Sequence, residues 1–122
     1  MSKWTVKKGN TSVQEILIQD KDGNNVTNLA AASWIKFQVK ETKTTDVVPI
    51  EKTKDDGIAV DTPEEGYLQI TLEPVDTDID PQLYVMALEI KWSDTVLYEV
   101  TMVADGEETE VFEITQDIVL VP

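Results

Sequence analysis

Along residues 84–92 every second position is large and apolar: Tyr84, Met86, Leu88, Ile90 and Trp92 share one parity. Alternate side chains of an extended chain lie on one face, whereas on a helix these five would scatter around the axis. The segment is therefore a strand with one continuous oily face, and it predicts the middle of a core. Just before it, residues 76–82 form a polar corner containing Asp76, Asp78, Asp80 and Pro81, where no regular ladder runs easily. A corner followed by a Tyr that opens a central strand is how β-sandwiches cross between sheets, with the hydroxyl tied to the corner backbone. Asp76, Pro81 and Tyr84 are thus expected to shape the corner, and Leu88, Ile90 and Trp92 to fill the core.

The rest of the chain carries the same period. Residues 4–8 read as a first strand ended by Gly9-Asn10, and residues 13–19 as a second with Ile16 and Ile18 on one face. A Gly- and Asn-rich turn covers residues 20–25. Leu29 is expected to plug the core from the connection that follows, with Ala30-Ala31-Ala32 too short to stand as a helix. Residues 34–41 alternate, with Ile35, Phe37 and Val39 inward and Lys36, Gln38 and Lys40 outward. Residues 47–52 hold Pro49, which cannot donate to a ladder, so an edge strand or bulge is expected there. Asp55-Asp56-Gly57 and residues 63–66 are turns, with a short strand at 58–60 between them and a strand at 67–72 after them. Beyond the central strand, Ser93-Asp94 is a turn. Residues 97–103 form a strand with Tyr98, Val100 and Met102 on one face. Residues 104–109 form an acidic hairpin loop, and 111–115 a last strand. Residues 117–122 read as an apolar tail extending an edge. Close-set turns between about eight to nine short strands predict one all-β domain over residues 1–122, an immunoglobulin-like sandwich.

Composition narrows function by exclusion. The 122 residues fit one core-bearing domain, and 41% hydrophobic content is too high for a disordered chain. No apolar run approaches the ~18 residues that a membrane span needs. The start, MSKWTVKKGN, lacks an apolar h-region, so no secretory signal is expected. The absence of cysteine removes disulfides and thiolate metal sites, and the absence of histidine removes the usual general base and commonest metal ligand. The charge of −14 is lopsided: residues 1–60 carry nine Lys against eight acids, +1, and residues 61–122 carry one Lys against sixteen acids, −15. A surface this acidic repels phosphate backbones, which argues against nucleic-acid binding. It serves either solubility or the orientation of a neighbouring protein.

Motifs for chemistry are missing. A calcium loop of the EF-hand type needs Gly at its sixth position and Glu at its twelfth. Counted from Asp76 those positions hold Pro81 and Ala87, and counted from Asp20 they hold Asn25 and Ala31. Sixteen acids in half a chain make some carboxylate pair inevitable, so a pair alone does not indicate glycoside hydrolysis. The sequons at Asn10 and Asn25 are idle without secretion. No catalytic, cofactor or metal site is therefore expected. Trp34 shares the outward parity of Lys36 and Lys40, so it either contacts another subunit, or covers a sheet end or packs under the 26–33 connection; Trp4 either anchors the first strand or lies in a contact. Trp4, Trp34, Lys36 and Lys40 are the candidate interface residues.

Taken in order, D-G-N-x-V-T-N-L, W-I-K-F-Q-V-K, V-V-P-I-E-K, D-D-G-I, G-Y-L-Q-I-T-L, D-T-D-I-D-P-Q-L-Y, A-L-E-I and E-V-F-E-I-T-Q-D-I-V resemble the N-terminal domain of tailed-phage baseplate upper proteins. The resemblance runs from about Thr11 to Val119 and rests on order and spacing, since each motif alone suits any β-sandwich. It implies a non-enzymatic structural module of a phage tail or baseplate, located in the virion. Its implied partners are other phage structural proteins or further copies of itself. Members of that family continue into a helical or receptor-binding part, while this sequence stops at Pro122, so assembly is expected here and direct host binding is not. A module that binds carbohydrate or a cell-surface ligand is the alternative, and two or more outward aromatics lining a groove would mark it.

Overall fold

The computed structural model describes residues 2–60, 65–92, 97–104 and 107–116. The protein is all-β. Its strands are β1 Ser2–Lys7, β2 Ser12–Gln19, β3 Trp34–Lys40, β4 Ile50–Lys54, β5 Gly57–Val60, β6 Tyr67–Leu72, β7 Gln82–Lys91, β8 Leu97–Glu99, β9 Thr101–Ala104 and β10 Glu107–Thr115. A 3-10 turn, Leu29–Ala31, precedes β3, and a one-turn helix α1, Pro74–Thr77, precedes β7.

Period-two patterning sets which side of each strand faces in. Ile16 and Ile18 on β2, Ile35, Phe37 and Val39 on β3, and Leu68, Ile70 and Leu72 on β6 are completely buried. Tyr84, Met86, Leu88 and Ile90 line the inward face of β7, and Phe112 and Ile114 that of β10. Leu29 plugs the core from its 3-10 turn, as its place in the connection predicts.

The strands make one continuous sheet in the order β1-β10-β9-β2-β6-β5-β4-β3-β7-β8, and an added β10–β7 pairing closes it into a barrel. Only Val100 separates β8 from β9, so counted as one bent strand they leave nine. The sandwich expectation calls for two stacked sheets. Here one sheet closes on itself instead, because β10 pairs with β9 through Glu107 and Glu108 and with β7 from Val111 to Ile114. β7 is the hub, bonded to β3 along one edge and to β10 and then β8 along the other.

The corner forms as its residues predict. The Tyr84 hydroxyl donates to the Asp80 carbonyl at 2.6 Å, and α1 fills the bend. A capping box starts α1: the Asp76 carboxylate accepts the Glu73 backbone N–H at 2.8 Å, with the reciprocal Glu73 contact also present. The buried Thr77 donates its hydroxyl to the Asn10 carbonyl at 2.7 Å, tying the corner to the β1–β2 turn.

Four expectations shift. β4 begins at Ile50, so Pro49 stands outside the ladder, and β4 is no edge because it pairs with both β3 and β5. The strand expected at 97–103 breaks at Val100, where its pairing changes from β7 to β2. β10 starts at Glu107 instead of Val111, because Glu107 and Glu108 continue the β9 ladder and Thr109 is buried beside β1. Trp92 lies past the end of β7 and is only half-buried against the core; its indole N–H donates to the Asn28 carbonyl at 2.9 Å, holding the 26–33 connection. The turns expected at Pro63-Glu64, Ser93-Asp94 and Asp105-Gly106, the Tyr98 side chain and the tail at 117–122 lie outside the described residues.

Candidate functional site

The outward face of β3 carries three of the four candidate interface residues. Trp34, Lys36, Gln38 and Lys40 alternate with the buried Ile35, Phe37 and Val39, so all four face away from the core. Lys36 places its ammonium 4.7 Å from the centre of the Trp34 ring and 3.2 Å from Glu51 Oε1. Gln38 Nε2 donates to the same Glu51 oxygen at 3.2 Å. These contacts hold the Glu51 carboxyl below its ordinary range, the Gln38 hydrogen bond first and the Lys36 hydrogen bond next. The cluster is fixed, and one face of Trp34 is covered by a charge.

Trp4 is a correction. It is only 5% exposed and belongs to the core, so no contact surface on this barrel includes it. Its ring meets Phe112 edge-on at 5.4 Å and Phe37 at 5.9 Å, and its indole N–H donates to Ser12 Oγ at 2.9 Å. An apolar residue on the inward parity of β1 must face the barrel interior once β1 docks on β10. Trp4 therefore anchors the first strand.

β7 is apolar on its outer side as well. Leu83 is 58% exposed, Ala87 is exposed, and Val85 between them is half-buried. Val85 pairs across the ladders with Val111 of β10 and Lys40 of β3. An apolar strip with Lys40 and Gln38 on its β3 side and Val111 and Glu113 on its β10 side thus lies on the outside of the central strand.

Where that strip reaches Ala87 the wall opens. β7 pairs with β10 as far as Val85 and with β8 from Glu89 onward, so among the described residues positions 86–88 have no ladder partner on that edge. A groove of about 330 Å³ lies over the gap. Val85, Ala87, Val100 and Met102 give it an apolar floor; Lys40 and Lys43 stand on one rim, and Glu89, Glu108 and Glu110 stand on the others. Its size is at the lower end of the range that holds ligands. Sequence reasoning missed it, because a gap in a ladder depends on which strands meet, and periodicity within a strand carries no record of that.

The predicted corner residues are placed together. Asp76 pairs with Lys52 at 2.8 Å, a half-buried bridge that links α1 to β4, and Pro81 is exposed in the bend. Among the described residues no group of three or more acidic side chains is arranged to hold a metal, and no helix is long and apolar enough to cross a membrane. No family model matches the chain, and no curated protein matches it.

Proposed function

We propose that this protein is a non-enzymatic structural module of a tailed phage or prophage, of the tail or baseplate kind, and that it works by contact with other virion proteins. The observation that carries the reading is the outward strip of Leu83, Val85 and Ala87. A strand that is apolar on both faces is suited to cover on both faces, and an exposed apolar strip rimmed by charge is the usual mark of a protein contact. Lys40 borders the strip opposite Val85, and Lys36 and Trp34 continue along β3 opposite Glu89 and Lys91, supplying cationic and aromatic groups that interfaces favour. The order of motifs along the chain supports the phage assignment. The Tyr84 corner supports the finer description of the barrel as an immunoglobulin-like sandwich whose layers stay bonded through β10. The carbohydrate-binding alternative asks for two or more aromatics along a groove, and the described lining of the groove contains none.

The test is particle composition. Density-purified particles from the source strain, probed with antibody raised against the recombinant protein, should contain the chain in fixed ratio to a tail protein. Its confinement to the soluble, particle-free fraction would overturn the reading.

A further inference from the structure

We infer that the groove beside β7 is a docking site for an extended, lysine- or arginine-bearing segment of a partner protein. Two independent features point to that occupant. The first is the open edge at residues 86–88. Successive backbone N–H groups of a strand point to opposite edges, so at least one of these three residues directs its N–H and C=O into the gap. Such an edge is satisfied by another extended chain, whose backbone bonds bind it and whose alternate side chains give specificity.

The second feature is charge. Glu89, Glu108 and Glu110 outnumber Lys40 and Lys43 around the opening. With these glutamates included, the second half of the chain carries sixteen acids against one lysine, a field that draws in a basic partner. A lysine or arginine stem would lie along Ala87 and Met102, with its head among the three glutamates; aliphatic stems of this kind cover apolar surface readily. The two lysines on the other rim disfavour a second basic residue there and so set the direction of the segment.

The inference rests on the assembly reading for the partner being a protein, and its test is separate. Fluorescence anisotropy would follow a labelled, capped peptide of Lys-Val repeats binding to the whole protein at low salt, beside a matched Glu-Val peptide and a Lys-Val peptide methylated on alternate backbone nitrogens. The Lys-Val peptide should bind. Its dissociation constant should rise at least about tenfold in Glu108→Gln/Glu110→Gln and in Ala87→Arg, which blocks the floor from an exposed position. Asp55→Asn/Asp56→Asn removes the same charge from an exposed turn remote from the groove lining and should leave affinity within about twofold. Backbone methylation should weaken binding, because it removes the strand-pairing donors. Equal loss in both charge variants, no effect of Ala87→Arg or of methylation, preference for Glu-Val, or no binding would each overturn the proposal. A negative result here leaves particle composition free to support the assembly reading, and absence from particles leaves peptide binding to stand or fall by itself.

Discussion

Tyr84 and Asp80 are joined by a 2.6 Å hydrogen bond from the tyrosine hydroxyl to a backbone carbonyl four residues upstream, and that bond closes the corner from which β7 departs. Removing only the hydroxyl leaves the part-buried contact to the Asp80 carbonyl unmade while the ring keeps its place near Phe112. Tyr84→Phe should cost about 1–2 kcal/mol in chemical denaturation. An unchanged midpoint would show that the corner does not depend on this bond.

The same hydroxyl gives a pH dependence with a definite sign. Burial raises its pKa above the ordinary tyrosine value, and the nearby Asp80 and Glu41 charges raise it further. The folded state therefore holds this proton more tightly than the unfolded state. The stabilisation is complete below the unfolded value of about 10 and is lost as pH rises through the higher folded value. Wild type should lose more stability between neutral and strongly alkaline pH than Tyr84→Phe does; parallel curves for the two proteins would contradict this.

Leu88 and Trp4 test the interior from β7 and from β1. Leu88→Ala should cost about 2–5 kcal/mol, and Trp4→Ala about 3–5 kcal/mol, since each empties a filled site. A loss under about 1 kcal/mol for Trp4→Ala would return that residue to the surface role that its place near the chain start first suggests.

Gly57 is coupled to the Lys52–Asp76 bridge. Its φ of +96° suits glycine, and a Cβ there would lie 2.4 Å from Lys52 Cδ. Gly57→Ala should cost about 1–3 kcal/mol, from backbone strain and from displacing the lysine that reaches Asp76. In a Lys52→Ala background the penalty should shrink to the backbone part alone; an identical penalty in both backgrounds would mean that the two sites are uncoupled.

The sequence carried the inside of this barrel well and its outside poorly. Alternation identifies the buried faces of β2, β3, β6, β7 and β10 because each strand writes its own inward parity. Trp4 shows one limit: a large aromatic near the chain start could anchor or contact, and only the docking of β1 on β10 decides. Closure shows another. β10 pairs with β1, β7 and β9 along different parts of its length, a relation between distant segments that no local pattern encodes. The β3 face was legible as outward, but the groove at Lys40 was not, since it exists only where β10 leaves β7 before β8 arrives.

Among the described residues the wall is closed around β7 except at residues 86–88, and residue-resolved amide hydrogen exchange reads that directly. The amides at the centre of β3 and in the β10-paired part of β7 should exchange only near the limit set by global unfolding. Either Ala87, or Met86 and Leu88 together, should exchange at least about 100-fold faster through the open edge, and the Lys-Val peptide should slow that exchange. Uniform full protection from Val85 to Glu89 would contradict the open edge.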